Sequence, residues 1–216
     1  MVESKIDYYE EESQHFKPFK HFYGRIKEME NESNYGAEVA SKWSEIVNQS
    51  LRHELYPVVH PIGQETFSLY AEFPTGVFEY AFDIDRATSL IKNESIKPVV
   101  FDPLEIIVSV DEGNINTDTS NIKTNHKNPV MILQSQYLTE NKLYCINGNH
   151  RIFEAYRNNE KQIEVYLFKD LEFDTFFYDV LSKALYFLEM DYSNVIKNEG
   201  NSLKGENTAY AFNFNC

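Results

Sequence analysis

The stretch Leu143-Tyr-Cys-Ile-Asn-Gly-Asn-His-Arg151, continued by Ile-Phe-Glu-Ala-Tyr156, decides how the rest of the chain is read. Leu143–Ile146 has the composition of a short strand, Asn147-Gly148 is turn chemistry, and Gly148–Asn158 is helical, with Ile152, Phe153, Ala155 and Tyr156 on it. The first turn of a helix has backbone N–H groups without intrahelical partners and a partial positive charge, which suits an anion. Gly148 has no Cβ to hold a phosphate away from the backbone. Arg151 adds a planar, permanently charged fork, and His150 is either a further donor or a group that titrates near neutrality. Two readings fit these residues. One is a phosphate-binding turn; the other is a plain strand–helix junction whose Asn caps the helix and whose Arg is solvated.

Charge bears on the choice. The 216 residues contain 20 Lys+Arg and 34 Asp+Glu, a formal net charge of −14. Such a surface repels a phosphodiester backbone at long range, so an extended nucleic acid is not an expected partner. The distribution is uneven, however. Residues 123–169 hold seven basic and four acidic side chains, a net of +3, while the remainder holds 13 basic and 30 acidic, a net of −17. A basic island in an acidic protein is where one small anion is focused.

Outward from that island the pattern is mixed. On the C-terminal side, Ile163–Phe168 alternates as a strand and Phe173–Met190 reads as one long helix. The tail from Asn198 reads as a loop with an apolar terminal anchor, Ala209 to Phe214. On the N-terminal side, Pro98–Phe101, Leu104–Val110 and Val130–Leu133 are rich in Val and Ile and read as strands. Asp111–Asn128 is polar and reads as a long exposed loop. Further upstream, Asp85–Lys92 reads as a short helix, and Thr66–Phe73 and Val77–Asp83 as a hairpin about Pro74-Thr-Gly76. Tyr35–Leu55 is an amphipathic helix ended by Pro57, and residues 1–33 read as an acidic arm with scattered rings. The expectation is an α+β protein in three parts: an N-terminal helix and β-hairpin extension over 1–95, a core over 96–170, and a C-terminal helix and tail over 171–216 packing on that core.

Other signals bound the class. No run of 18 apolar residues exists, so no membrane helix is expected. Two cysteines, Cys145 and Cys216, make no disulfide framework, and the first residues lack signal-peptide order, so a cytoplasmic location is expected. No His-Glu-x-x-His spacing, Walker loop, Gly-x-Ser-x-Gly elbow or Gly-x-Gly-x-x-Gly fingerprint occurs, and no structural metal is expected.

Residues 128–133 (Asn-Pro-Val-Met-Ile-Leu), 142–157 (Lys-Leu-Tyr-Cys-Ile-Asn-Gly-Asn-His-Arg-Ile-Phe-Glu-Ala-Tyr-Arg) and 162–167 (Gln-Ile-Glu-Val-Tyr-Leu) together resemble the core of the ParB/sulfiredoxin superfamily. That core has a proline-led strand, a second strand, a Gly-x-x-Arg-type loop opening a helix with Ala inside it, and a closing strand. The resemblance spans under a third of the chain, with Leu104–Val110 as the counterpart of the family's first strand. It implies a mixed small sheet with helices and the binding of ATP or CTP with magnesium. Gly148, Asn149, His150 and Arg151 would lie around the phosphates, with Asn128 edging the pocket.

Glu154, one turn after Arg151, and Asp111, after the expected first strand, are candidate acid–base or magnesium-placing groups beside His150. Each also has a plain reading, as a helix-surface ion pair and a loop acid. The family's reductase branch has its nucleophilic cysteine where Asn149 stands here, and its DNA-clamp branch has a helix-turn-helix after the core, where this chain has one helix and a tail. The function expected is therefore binding of a small nucleotide, with phosphoryl transfer or hydrolysis as its chemistry. The alternatives are a non-catalytic immunity-type or regulatory protein that caps a basic protein partner, and a metal-dependent nuclease. The sequence does not set the oligomeric state.

Overall fold

The computed structural model describes residues 5–110, 129–197 and 208–215. In chain order the elements are α1 (Lys5–Ser13), α2 (Pro18–Glu32), α3 (Asn34–Ile46), the hairpin strands β1 (Thr66–Phe73) and β2 (Gly76–Asp83), and α4 (Ile84–Asn93). There follow β3 (Val99–Phe101), the short helix α5 (Pro103–Ile106), β4 (Met131–Gln134), β5 (Leu143–Asn147), α6 (Asn149–Arg157), β6 (Ile163–Lys169) and α7 (Val180–Lys197). The protein is α+β. Among the described residues no helix is long and apolar enough to cross a membrane.

Two compact units divide the chain. One comprises Met1–Ile6, Ile62–Phe67 and Phe82–Phe176; the other comprises Asp7–Pro61, Ser68–Ala81 and Phe177–Cys216. The strands of the hairpin are shared between them.

The first unit is built on a four-stranded sheet of order β3-β6-β4-β5. β4 and β5 are antiparallel, β4 and β6 parallel, and β3 and β6 antiparallel. Parallel neighbours need a crossover, and here β5 and α6 supply it between β4 and β6. Ile106, Val130, Ile132, Cys145, Ile152 and Val165 form the buried centre, with Ile163 and Leu167 packed against it. Each buried aliphatic side chain contributes about 1.5–3 kcal/mol through the water it leaves behind. Because β6 alternates faces, Ile163, Val165 and Leu167 turn to this core, leaving Glu164 and Tyr166 on the opposite face.

Leu104–Val110, expected as a strand, is instead α5 followed by a 3-10 turn, Ile107–Ser109. Asp102 and Pro103 decide it. The Asp102 carboxylate accepts from the Leu104 N–H at 2.9 Å, and the fixed φ of Pro103 suits the first helical position. Ile106 is buried while Leu104 and Val108 are exposed, which one face of a helical turn allows. The sheet edge at this end is β3 alone.

The second unit is helical and rich in rings. Residues 1–33, expected as an arm, contain α1 and α2. Phe22, Ile26 and Met29 recur at helical steps along α2, and all three are buried. The helix expected over Tyr35–Leu55 ends as α-helix at Ile46 and continues as a π turn, Val47–Leu51. The single helix expected over Phe173–Met190 is broken into a 3-10 turn, Asp174–Phe176, and α7. Asp179 restarts the chain as a helix, its carboxylate accepting from Ser182 N–H at 2.8 Å and Ser182 Oγ at 2.7 Å.

Two buried polar side chains here, Asp191 and His21, are paired. Asp191, 1% exposed, accepts from Trp43 Nε1 at 2.9 Å and from the Tyr210 and Ala211 N–H groups at 2.7 and 2.9 Å. That carboxylate holds the apolar terminal anchor in place, since an unpaired charge at this depth would be prohibitive. His21, also buried, bridges Thr75 Oγ1 at 2.6 Å and Glu189 Oε1 at 2.8 Å, and Arg25 grips both oxygens of Glu189.

Candidate functional site

Gly148 turns the chain from β5 into α6 with φ +97° and ψ +22°, a left-handed conformation that side-chain-bearing residues rarely adopt. The space its Cβ would fill is already taken. Val130 Cγ2 lies 2.9 Å from that point, Val130 Cα 3.2 Å and Arg151 Nη2 3.2 Å. The missing side chain therefore lets the turn close onto β4 and lets the Arg151 guanidinium fold back over it. Asn147 fixes the same corner by donating from Nδ2 to the Pro129 carbonyl at 3.1 Å. The Arg151 and Ile152 N–H groups both reach back to the Gly148 carbonyl, at 3.0 and 3.2 Å, so α6 winds from this residue.

Arg151 is half-buried, and burial lowers its pKa from the ordinary arginine value, opposed by the electrostatic influence of Cys145 and Glu65. It stays charged at any physiological pH. Among the described residues its guanidinium forms no ion pair or hydrogen bond. It lines a pocket of about 470 Å³. Thr88, Ile91 and Lys92 reach the pocket from α4, at the three- and four-residue steps that share a helix face. Glu164 and Tyr166 reach it from β6, with Gln162 just before the strand and Pro129-Val130 just before β4. A space of this size is that of a small-molecule site.

The sequence candidates fare differently. Gly148 and Arg151 come together, Arg151 Nη2 lying 3.2 Å from the point a Gly148 Cβ would occupy, but of the four turn residues Gly148, Asn149, His150 and Arg151 only Arg151 lines the pocket. Asn149 is buried and His150 half-buried in the first turn of α6. Glu154 is half-buried one turn on, does not line the pocket, and forms no ion pair with Arg151. Asp111 and Asn128 lie outside the described residues. No group of three or more His, Cys, Asp and Glu able to hold a metal occurs among the described residues.

Cys145 sits in the buried centre with its thiol donating to the Asn147 carbonyl at 3.3 Å. Burial pushes that thiol up to about 12, which leaves almost no thiolate at neutral pH.

Sequence reading missed Lys92, Thr88, Gln162, Glu164 and Tyr166. For Gln162, Glu164 and Tyr166 a signal existed, the polar phase of the alternation whose apolar phase is Ile163, Val165 and Leu167. For Lys92 and Thr88 none existed, because only the docking of α4 brings them there. No family model, curated protein or solved structure matches the chain.

Proposed function

We propose that the unit containing Phe82–Phe176 is a ParB/sulfiredoxin-like nucleotide-binding domain that holds the phosphates of ATP or CTP at the Gly148–Arg151 turn. The observation that carries this reading is the half-buried Arg151 guanidinium, unpaired among the described residues, at a pocket that also takes in Lys92. The succession Pro129, β4, β5, Gly148, α6 with Ala155 buried inside it, and β6 agrees with the motif order. An anion at this turn meets the positive end of α6 and a guanidinium suited to two phosphate oxygens.

In this reading magnesium would come with the nucleotide, and the chain supplies position and charge. Thiol chemistry is no part of it, given Asn149 in the motif position and the protonated, buried Cys145. A base for phosphoryl transfer or hydrolysis would be Asp111, Glu154 or His150. A cytoplasmic location belongs to the same reading.

Calorimetric titration with ATP, CTP and GTP in magnesium tests it. At least one nucleotide binds with a sub-millimolar Kd, and Arg151→Ala weakens that binding by about 1.5–3 kcal/mol, on the order of 10- to 150-fold. Absence of sub-millimolar binding by all three would overturn the reading.

A further inference from the structure

We propose that Glu164 makes this pocket select nucleotides whose base bears an amino group at the position of adenine N6 or cytosine N4. The inference rests on the nucleotide-binding reading above and adds the part of the ligand that the phosphate turn leaves unread.

The pocket has unlike charges that do not meet. Arg151, Lys92 and Glu164 all line it, yet among the described residues none forms an ion pair with another. Carboxylates and cations that share a cleft without neutralising one another are spaced for a ligand with two different ends. The strand gives the direction of that spacing. The Tyr166 N–H donates to the Val130 carbonyl at 2.8 Å, and Val130 is the residue that Gly148 closes upon. Tyr166 therefore marks the phosphate end of β6. Glu164 lies two residues back along the strand, roughly 7 Å from Tyr166, and Gln162 a further 7 Å or so. All three follow the polar phase of the alternation, turned from the core.

A nucleotide anchored by its phosphates at Gly148–Arg151 and laid along this face passes the Tyr166 ring and brings its base to Glu164 and Gln162. An ionised carboxylate is an acceptor only. The groups that satisfy it are the N6 amino group of adenine and the N4 amino group of cytosine, both donors. Uracil and hypoxanthine present a carbonyl oxygen at the corresponding position, so two acceptors would face each other. A fully buried donor–acceptor site rejects such an analogue by several powers of ten. Glu164 is exposed, so water weakens the contrast, to about tenfold.

The test uses the two pairs in which the amino group is exchanged for a carbonyl and the adjacent ring nitrogen gains a proton, ATP with ITP and CTP with UTP, titrated in magnesium against the wild type, Glu164→Gln and Arg151→Ala. Inorganic tripolyphosphate serves as the ligand that lacks a base. The wild type is expected to favour the amino member of at least one pair by about tenfold. Glu164→Gln, whose amide can turn its N–H₂ toward a carbonyl, is expected to bring that ratio to within about twofold of unity without weakening tripolyphosphate binding. Arg151→Ala is expected to weaken tripolyphosphate and both members of each pair alike. Equal wild-type affinity within both pairs, or a ratio that Glu164→Gln leaves intact, would overturn the selection by Glu164 and leave the phosphate site standing. No binding by any nucleotide or by tripolyphosphate would overturn both.

Discussion

Replacing three glycines by alanine separates the contributions that shape the Gly148 turn. Gly24 is exposed in the middle of α2, with no atom within 4 Å of a built Cβ. Alanine there removes a poor helix former, so Gly24→Ala is expected to stabilise by about 0.5–1 kcal/mol. Gly63 has φ +90° but equally open surroundings, so its alanine variant isolates the backbone cost. That cost is about 1–2 kcal/mol, reduced by the 0.4–1 kcal/mol that alanine saves in unfolded-chain entropy, leaving a net loss of about 1 kcal/mol. Gly148 adds steric conflict to the same backbone cost. Its Cβ would stand 2.9 Å from Val130 Cγ2 and 3.2 Å from Val130 Cα, and the latter, being backbone at the entrance to β4 tied to Tyr166 N–H, cannot rotate away. Overpacking of that kind costs about 1–3 kcal/mol, so Gly148→Ala is expected to lose about 2–4 kcal/mol in all. With a urea m-value of about 2 kcal/mol/M, the midpoint moves down by roughly 1–2 M, followed by far-ultraviolet circular dichroism. A Gly148→Ala variant no less stable than Gly63→Ala would show that Val130 does not close on the turn. One as stable as the wild type would show that the turn is not left-handed at all, and the folded-back position of Arg151 would fall with it.

Two further outcomes follow from titrating groups. In a Cys216→Ser background, Cys145 should resist alkylation at pH 8, where a thiol held at about 12 is ionised to only about one part in 10⁴, and should react fully once urea unfolds the chain; comparable rates in the two states would refute its burial. For Asp179, burial is the leading cause of a pKa raised above the usual carboxylate value, with hydrogen bonds from Ser182 and Leu181 pulling it back down. The folded protein therefore binds that proton more tightly than the unfolded chain, and the associated stability, complete below the unfolded pKa, is lost as pH rises through the folded one. Asp179→Asn, neutral throughout, should gain stability relative to the wild type between pH 4 and pH 7 in urea midpoints, and a difference that stays constant with pH would refute the shift.

Where local chemistry and packing agree, the elements are legible in the sequence. The hairpin of β1 and β2, the helix α4 and the run β4, β5, α6, β6 all follow from period-two or period-3.6 patterns bounded by turn residues. Two of the misreadings share a cause, namely a capping carboxylate that outranks side-chain composition. Leu104–Val110 has the β-branched look of a strand, yet Asp102 and Pro103 start a helix there. Phe173–Met190 has an unbroken apolar period, yet Asp179 claims Ser182 and begins α7 afresh. In the N-terminal segment the acidic triplet Glu10-Glu11-Glu12 drew the reading toward a solvated arm, whereas the period of Phe22, Ile26 and Met29 decides the structure. The strand–turn–helix junction at Gly148 is legible because its chemistry is local. The ion pair considered for Arg151 and Glu154 was plausible from spacing alone but is not made, since Arg151 turns back over Gly148 instead.

That unmade pair bears on how the site works. A chain with 34 carboxylates has abundant means to neutralise a partly desolvated guanidinium, and Glu154 stands one helical turn away. Leaving Arg151 and Lys92 without ion-pair partners among the described residues gives up that attraction while retaining the desolvation cost that burial imposes on Arg151. Violations of this kind in an otherwise consistent structure concentrate where a ligand completes the charge. The surrounding acidity sharpens the point rather than opposing it. With −17 over the rest of the chain, a long polyanion would meet repulsion beyond the basic segment, whereas in the proposed reading a single nucleotide meets Arg151 of that segment and Lys92 of α4. In the proposed reading, the same charge distribution disfavours a nucleic-acid track and favours a compact anion, with affinity sensitive to salt at the scale of one phosphate cluster.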